Sequence, residues 1–396
     1  MKSYLLLFTF IAVLSCSSVP GATPETDAPK DGLTIEWDQS SVKILDSGGG
    51  YGRVHRLNDG RLMGVYSRVG SGQVIFSSDN GYNWTKSTVA IPKFTYNGVT
   101  VNIANSEFAQ LSAKHPVHPG RIIYSVNLRP ANQASTVYPY SIAYAFSDDN
   151  GQTWSDMHIA FHSDTWTSDV LKGCWEPFVL ELPDGTVQIY FADETPYYRN
   201  GSSDQNISVI ESFDGGDTWS TPRIAAYAGK SRDGMPVCLL MDGIIYMVVE
   251  HADPGTRLRP QVASNPANGS WAEPVLNGSP WRFEIFATPL ASKTIYRGAP
   301  YLIRTDDYLV VSWQVCGTDT DRGDEAHAMM EVALCPISEM RDGKFTTMRG
   351  FSKPLHLDEA SNKAKWNSLC DLGDNCVLAI TSTKAGLVSI RGKILP

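Results

Sequence analysis

Eight residues, Ser77-Ser78-Asp79-Asn80-Gly81-Tyr82-Asn83-Trp84, carry a pattern that returns twice further along the chain. The second copy spans residues 147–154 and the third spans residues 212–219. All three read Ser-x-Asp-x-Gly-x-(Thr or Asn)-Trp, a motif known as the Asp-box. A fourth, eroded copy at residues 264–271 keeps the spacing from Ser to Trp but loses the Asp and the Gly. Copies at a similar spacing indicate a repeated structural unit.

Each shared position of the motif has a structural task. The Asp carboxylate can accept hydrogen bonds from its own turn, and the Gly permits the left-handed conformation that the turn needs. The Trp can pack against the edge of a sheet. A short apolar run of strand type precedes each intact copy, at residues 73–76, 142–146 and 207–210. We therefore interpret the boxes as hairpin turns and assign no catalytic role to Asp79, Asp149 or Asp214.

The spacing of the boxes predicts the architecture. The copies recur roughly every 50 to 70 residues, which is the size of a four-stranded propeller blade with its loops. No linker rich in Pro and Gly divides the chain, and long helical periodicity is absent. Radial repetition also allows a domain of this length to exceed the usual size of a single core. We predict an all-β fold in which residues 33–396 form one six-bladed β-propeller.

The N-terminal residues are predicted to be an export signal and a linker. Lys2 precedes an apolar run, residues 5–14, that is too short to span a bilayer. Val13-Leu14-Ser15-Cys16 resembles a bacterial lipobox, in which the cysteine is lipidated after cleavage. We predict a lipoprotein signal peptide at residues 1–16, with lipidation at Cys16, and a flexible tether at residues 17–32. The protein would then be exported and anchored to a bacterial membrane, in the periplasm or at the cell surface; an ordinary secretory signal is the alternative.

Charge and cysteine content limit the partners. The net charge of −9 argues against nucleic acid and favours a neutral ligand. The cysteines lack the paired spacing of a zinc site and the histidines lack an HExxH motif, so we predict no catalytic metal and no cofactor. Cys370 and Cys376 flank a turn-like segment and could form a local disulfide, whereas the other thiols could be buried and free. We expect a monomer that contacts the membrane only through its lipid.

Two glutamates stand where a propeller gathers polar residues. Glu176 precedes an apolar run beside Trp175, and Glu250 ends the apolar strand-like run 244–250. Because innermost strands start near the axis, such residues converge on one face, and the separation of the two glutamates suggests adjacent blades. A pair of carboxylates is what glycosidic-bond hydrolysis requires, and an apolar wall such as Trp175 or Tyr246 would raise a carboxyl pKa. The alternative is that each is an ordinary residue at a strand end.

The chain resembles glycoside hydrolase family 93, the exo-acting α-1,5-L-arabinanases that release arabinobiose from arabinan. The matching segments are residues 51–54 with 57–60, 175–178 with 190–194, 233–236 running to 250, 298–303 with 312–314, and 366–369. In that family two glutamates act with retention of configuration, and they fall on Glu176 and Glu250. The resemblance implies Glu176 as nucleophile and Glu250 as acid/base. Retention would require the carboxyl groups to lie about 5–5.5 Å apart, against about 6.5–9.5 Å for inversion.

Other polar and aromatic residues are candidates for binding sugar hydroxyls or stacking on a sugar ring. They are Arg53, Asn105, Trp175, Asp193, Arg232, Asp233, Tyr301, Gln314 and Trp366. For any one of them alone, a structural role is an equal alternative.

Two other functions compete with an arabinanase. A sialidase would share the boxes and the propeller, but it needs three arginines around a carboxylate and a tyrosine nucleophile. Arg53, Arg232 and Arg297 could be proposed as the three arginines, yet the Arg-Ile-Pro form of the first motif is missing and no late tyrosine is convincing. A non-catalytic glycan-binding lipoprotein would instead show an aromatic platform without a close carboxylate pair.

Overall fold

The computed structural model describes residues 32–134, 136–163, 173–200, 202–286, 295–316, 328–357 and 363–396. The predicted signal peptide, the lipidation residue Cys16 and nearly all of the tether lie outside this part of the chain. Strands dominate the described residues, with short 3₁₀ turns at Ala131–Gln133, Thr195–Asn200 and Ile337–Glu339. None of the helical segments within those ranges has the length and apolar character that crossing a membrane requires.

The strands form six sheets, which we number as blades in chain order. Strand β1 (Thr34–Asp46) comes first and belongs to the last blade. Blade 1 contains β2 (Gly49–Arg56), β3 (Leu62–Arg68), β4 (Ser71–Ser77) and β5 (Thr88–Ile91). Blade 2 contains β6 (Phe94–Tyr96), β7 (Val99–Gln110), β8 (Ile122–Pro130), β9 (Ser141–Ser147) and β10 (His158–His162). Blade 3 contains β11 (Cys174–Glu181), β12 (Val187–Asp193), β13 (Asn206–Ser212) and β14 (Arg223–Tyr227).

The remaining blades follow the same plan. Blade 4 contains β15 (Arg232–Met241), β16 (Ile244–Ala252) and β17 (Arg259–Asn265). Strand β18 (Val275–Leu276) then adds to the outer edge of blade 3, before β19 (Arg282–Glu284) completes blade 4. Blade 5 contains β20 (Tyr296–Arg304), β21 (Tyr308–Cys316), β22 (Met329–Pro336) and β23 (Arg349–Ser352). Blade 6 contains β24 (Lys365–Gly373), β25 (Cys376–Thr383) and β26 (Gly386–Leu395), with β1 at its edge. The predicted six-bladed, all-β propeller is confirmed.

The two ends of the described chain close the ring together. Strand β1 pairs antiparallel with β26, beginning with Thr34 opposite Leu395. The first strand therefore supplies the outermost strand of the last sheet and joins the beginning of the described chain to its end. Ile35 anchors this pairing, because its side chain is buried in the main hydrophobic cluster.

The three intact Asp-boxes lie in the turns β4–β5, β9–β10 and β13–β14, as predicted. In the first box, the backbone N–H groups of Gly81 and Asn83 donate to Ser77 Oγ and Asp79 Oδ1, at 2.9 and 2.8 Å. Trp84 Nε1 closes the turn by donating to the carbonyl of Gly81. The hydroxyl and backbone N–H of Thr153 lower the pKa of Asp149, in the second box, to about 2. The boxes are thus structural turns.

The eroded fourth box keeps the same function with a different side chain. Asn265 Oδ1 accepts from the backbone of Ala267 at 2.7 Å, and its amide group donates to the carbonyl of Ser270 at 2.9 Å. Trp271 is fully buried and donates to Tyr190 Oη at 2.9 Å. An asparagine amide therefore replaces the missing carboxylate as the centre of the turn.

The suggested local disulfide is absent from the structure. Cys370 stands opposite Leu378 in the β24–β25 pairing, whereas Cys376 stands opposite Gly373, so the two thiols do not face each other. Both are free, and so are the other cysteines whose side chains the structure describes: Cys174, Cys238 and Cys335.

Candidate active site

Each innermost strand contains a β-bulge at the same level of the ring. At each bulge one residue other than glycine has a left-handed φ, between 46° and 59°. The six residues are Tyr51, Asn105, Glu176, Met235, Ala299 and Trp366. Such residues strain the backbone by about 1–3 kcal/mol each and cluster at functional sites. The bulges bring these residues together around the axis, on the face where the innermost strands begin.

Side chains join neighbouring blades at three of these bulges. The N–H of Ala299 donates to Glu250 Oε2 at 2.8 Å, and the N–H of Trp366 donates to Gln314 Oε1 at 2.8 Å. The N–H of Tyr51 likewise donates to Ser382 Oγ at 2.9 Å. In each case the acceptor belongs to the second strand of the preceding blade, opposite the residue just before that blade's own bulge. This is a repeated cross-blade hydrogen bond.

Blade 3 lacks the usual acceptor, and Glu176 replaces it. The equivalent position is Ala192, which stands opposite Trp175 and has no polar side-chain atom. The N–H of Met235, at the bulge of blade 4, donates instead to Glu176 Oε2 at 2.9 Å. Glu176 and Glu250 therefore hold the bulges of successive blades, and the expectation that they come from adjacent blades is confirmed.

The two carboxylates both lie close to the backbone at Gly234 and Met235. A Cβ atom on Gly234 would stand 3.1 Å from Glu250 Oε1, and one on Gly298 would stand 3.0 Å from Glu250 Oε2. Because Glu176 is bonded to the N–H that follows Gly234, backbone dimensions keep the carboxyl groups within roughly 10 Å of each other. Glycine at these positions lets Glu250 approach the bulges closely.

A pocket of about 650 Å³ opens beside Glu176. Its lining comes from blades 1, 2, 3 and 6: Gly48, Gly49, Gly50, Tyr51, Ser67, Ala104, Asn105, Arg129, Glu176 and Trp366. Trp366 is half-buried and forms an aromatic wall, with the ammonium group of Lys365 3.8 Å from the ring centroid. The predicted residues Glu176, Asn105 and Trp366 thus share one pocket.

Arg129 is a pocket residue that the sequence analysis missed. Its Nε donates to Asn127 Oδ1 at 2.6 Å, and its Nη2 donates to Asn105 Oδ1. The guanidinium lies 5.0 Å from the ring centroid of Trp175. The sequence contained a signal for it, because Arg129 lies near the end of a largely apolar strand, as Glu250 does. Its guanidinium group supplies a positive charge to the lining of the pocket.

The surroundings of Glu176 act on its pKa in opposite directions. Burial, the largest influence, raises the pKa of the Glu176 carboxyl above its ordinary value. The charge of Arg129, the N–H of Met235 and the more distant charges of Arg232 and Arg53 lower it, without cancelling the effect of burial. Arg129 thus favours the ionised carboxylate in an environment that otherwise favours the acid.

Trp175 and Arg232 are joined through a second residue that the sequence analysis did not assign, Glu194. Trp175 Nε1 donates to Glu194 Oε2 at 3.0 Å, and Arg232 Nη1 donates to Glu194 Oε1 at 2.7 Å. Arg232 also donates to Gln205 Oε1 at 2.6 Å and remains half-exposed. Glu194 therefore fixes the ring of Trp175, over which the guanidinium group of Arg129 lies.

Arg53 and Tyr301 lie in the channel beneath the pocket. Both are almost fully buried. Arg53 Nη1 donates to the carbonyls of Gly52 and Trp366, and its Nε lies 3.4 Å from Glu107 Oε2. Tyr301 Oη lies 3.5 Å from the same oxygen of Glu107. These groups close the channel below the pocket, and their predicted contact with sugar stays a prediction.

Asp193, Asp233 and Gln314 are also buried and bonded within the protein. Asp193 accepts from Thr195 N and Ser208 Oγ, at 2.9 and 3.0 Å. Asp233 accepts from Arg282 Nη2 at 2.6 Å and lies 2.7 Å from His251 Nδ1, and Gln314 holds the bulge of blade 6. Asp233 stands next to Gly234, and His251 follows Glu250, so the contact between Asp233 and His251 joins the two strands that position Glu250. The geometry indicates positioning roles.

No group of three or more His, Cys, Asp or Glu side chains with metal-binding geometry occurs within the described ranges.

Comparisons with solved structures show the same fold. An α-L-arabinofuranosidase of glycoside hydrolase family 93 from Fusarium graminearum, solved with arabinobiose, matches with a TM-score of 0.62 and 17% identity, over 92% of this chain and 97% of that one. A Penicillium chrysogenum α-L-arabinanase, also with arabinobiose, matches with a TM-score of 0.58 and 16% identity, over 92% and 98%. A Streptococcus pneumoniae sialidase matches with a TM-score of 0.54 and 10% identity, over 90% and 70%.

Sequence comparison identifies the family. No curated protein matches the chain by sequence. The family model described as a BNR repeat-like domain matches residues 57–320, which is well over half of the chain and includes the three intact Asp-boxes. The chain therefore belongs to the BNR repeat-like domain family.

Proposed function

We propose that this protein is a glycoside hydrolase that releases arabinobiose from the end of α-1,5-linked L-arabinan with retention of configuration. The observation that carries the proposal is the pair of glutamates: Glu176 lines the pocket, and Glu250, which is not among the lining residues, comes from the adjacent blade with its carboxyl group within roughly 10 Å of that of Glu176. Two proteins of this fold, an α-L-arabinofuranosidase and an α-L-arabinanase, were each solved with arabinobiose, which is the reason for choosing this substrate over others.

The proposed reaction has two steps. In the first, Glu250 gives its proton to the leaving glycosidic oxygen while Glu176 attacks the anomeric carbon, so that one C–O bond breaks and an ester to Glu176 forms. In the second, Glu250 takes a proton from water, and the resulting hydroxide attacks the same carbon and releases Glu176. The order of roles follows from the family resemblance.

The protein's own groups support an ionised nucleophile. The N–H of Met235 fixes Glu176 Oε2, and the charge of Arg129 opposes the rise in pKa caused by burial. Glu176 can therefore ionise in its buried position. A carboxylate that has lost its hydration shell there is a stronger nucleophile than a hydrated one.

The closed channel favours action at a chain end. Arg53, Glu107 and Tyr301 are buried together beneath the pocket. A polysaccharide cannot pass through the ring there, so it must enter and leave by the same face. We expect the end of a chain, rather than an internal unit, to enter a pocket that is closed at its base.

The three arginines considered for a sialidase favour a neutral sugar over a sialoside. A sialidase needs three arginines that converge on a substrate carboxylate. Arg53 lies against Glu107 and Arg232 is paired with Glu194, while Arg297 is buried 5.5 Å from the ring centroid of Phe286. Two of the three thus already face carboxylates of the protein.

Incubation of residues 17–396 with linear α-1,5-arabinan tests the proposal. The wild type should release arabinobiose with the anomeric configuration retained, as followed by NMR. Glu176→Gln and Glu250→Gln should each lower kcat by roughly a thousandfold or more, since each removes a group that acts in the transition state. Glu273→Gln is the matched control, because Glu273 is exposed and is not among the residues that line the pocket. Release of sialic acid from a sialoside, or activity that survives both substitutions, would overturn the proposal.

We also propose that the protein is exported, lipidated at Cys16 and active as a monomer. Incorporation of a labelled fatty acid should be lost in Cys16→Ser, and a soluble, unlabelled wild-type protein would contradict lipidation.

A further inference from the structure

One innermost strand extends far beyond the ring of bulges. Strand β7 has six residues, Val99 to Ala104, before its bulge at Asn105, whereas the other innermost strands have one to three. The extension pairs with β8 on one side and with β6 on the other, through a two-residue turn, Asn97-Gly98, with left-handed φ angles of 46° and 81°. A hairpin therefore projects from the face that holds the pocket.

The hairpin carries aromatic side chains at the surface. Phe94 and Tyr96 lie on the same side of β6, and each packs edge-to-face on Tyr138, with ring centroids 5.4 and 5.3 Å apart. Tyr96 is 42% exposed, while Phe94 and Tyr138 are half-buried. We call Phe94, Tyr96 and Tyr138 the aromatic hairpin surface. Packing on the blade explains the two half-buried rings but not the open ring of Tyr96.

We propose that this surface binds sugar units of a neutral polysaccharide whose terminal unit occupies the pocket. The inference rests on the proposed function and adds a second binding site to it. The apolar C–H face of a sugar ring can stack on tyrosine, while the phenol hydroxyl bonds to sugar hydroxyls. Residues 94–101 contain no charged side chain, which suits a neutral chain rather than an anionic one.

The distance along β7 fits a polymer rather than a disaccharide. Phe94 pairs with Val101 and Tyr96 pairs with Val99, which are four and six residues from Asn105 in the pocket. At about 3.3 Å per residue, the surface lies roughly 13–20 Å from the pocket. Arabinobiose in the pocket would not reach it, so only longer chains gain from the contact.

Binding measured apart from catalysis tests the inference. In the Glu176→Gln background, affinities for arabinan, xylan, galactan and mannan are measured by affinity electrophoresis, and those for short oligosaccharides by calorimetry. Tyr96→Ala should weaken polymer binding roughly five- to tenfold and leave arabinobiose binding unchanged, and Tyr96→Phe should keep most of the polymer affinity. Tyr82→Ala is the matched control, because Tyr82 is 46% exposed but lies in an Asp-box turn.

Each outcome separates the two proposals. Tyr96-dependent binding of a polysaccharide other than arabinan would overturn the proposed substrate and leave the aromatic surface standing. Three results would overturn the proposal that the aromatic hairpin surface binds polysaccharide. These are equal losses of polymer affinity in Tyr82→Ala and Tyr96→Ala, an equal loss of affinity for arabinobiose in Tyr96→Ala, and no binding of any neutral polysaccharide.

Discussion

Arg129 places a positive charge in the pocket without an acidic partner of its own. It bonds to the side-chain oxygens of Asn127 and Asn105, lies over Trp175, and forms no ion pair in the part of the chain that the structure describes. Its charge acts on Glu176, where it is the foremost influence lowering the pKa. Arg129 thus favours ionisation of the proposed nucleophile more than any other single group around it does.

We expect Arg129→Met to raise the pKa of Glu176 further, because the cation that stabilises the carboxylate is lost. The acidic limb of the kcat/KM profile should then move to higher pH, with about a tenfold loss of activity at mildly acidic pH and a smaller loss above the limb. The measurement is a pH–rate profile on an arabinan oligosaccharide. Arg304→Met, at the opposite mouth of the channel, removes the same charge and should leave the limb in place.

Ala192 determines which group holds the bulge of blade 4. A polar side chain there would stand where Glu250, Gln314 and Ser382 stand in later blades, and would compete with Glu176 for the N–H of Met235. We expect Ala192→Ser to release Glu176 from this bond, lower kcat by up to roughly a hundredfold and move the acidic limb to higher pH. The limb moves because the Met235 N–H no longer stabilises the carboxylate.

Ala192→Gly serves as the control, since it keeps the position without a polar atom. It should unfold at a lower temperature but keep the pH profile of the wild type. An unchanged profile in Ala192→Ser would show that Glu176 holds its place without the Met235 bond.

At the scale of single elements, the Asp-boxes link acidity to stability. The pKa of Asp149 is lowered to about 2, chiefly by Thr153. Burial raises the pKa of Asp214, but hydrogen bonds from Thr218, Ser212 and the backbone of Asp217 together lower it to about 2. Since these folded values lie below the ordinary value of 3.8, the carboxylates stabilise the fold above about pH 4. That contribution is lost as the pH falls towards 2.

We expect Asp149→Asn and Asp214→Asn each to lower the free energy of unfolding by about 1 kcal/mol at pH 7, because hydrogen bonds to an ionised acceptor are replaced by weaker ones. Both residues are near the surface, so the effect is modest. The decrease in stability between pH 4 and 2 should be shallower in the variants. Denaturant unfolding across this range is the measurement, and parallel pH profiles in wild type and variants would contradict the assignment.

The boxes could be predicted from sequence, whereas the ring of bulges could not. A box is a local turn, and its Ser, Asp, Gly and Trp all act within eight residues. The bulges place Tyr51, Glu176 and Trp366 in a left-handed conformation that their side chains disfavour. Strand pairing and hydrogen bonds from the preceding blade impose that conformation. A local sequence pattern therefore cannot predict it. For the same reason the sequence identified Glu176 and Glu250 but not their shared structural task.

At the scale of the whole molecule, the spacing of the boxes predicted the six blades, but the place of the first strand depends on the far end of the chain. Burial decides which residues of β1 matter. Ile35 packs into the main cluster, whereas Ile44, on the same strand, is 59% exposed. Replacing each of the two isoleucines by aspartate therefore compares a change in the buried contacts that close the ring with a change at the surface.

We expect Ile35→Asp to lower the free energy of unfolding by about 3–5 kcal/mol, because a carboxylate would be buried without a partner at the join of the ring. Ile44→Asp should change it by no more than about 0.5 kcal/mol. Thermal and denaturant unfolding provide the comparison. Similar losses at both sites would show that β1 contributes little to closure.

The pairing of β1 with β26 also brings the two ends of the described chain together. A Cβ atom on Gly32 would stand 3.7 Å from the carbonyl oxygen of Pro396. The path of residues 32–396 is therefore nearly closed, and the same fold is compatible with a chain that begins at another blade. A gene that joins residue 396 to residue 32 through a short linker and starts at residue 230, in the exposed turn before β15, would encode the same ring. In that permutant blade 6 would become a continuous sheet, and the gap between blades 3 and 4, which Glu176 spans through Met235, would become the point where the ends meet.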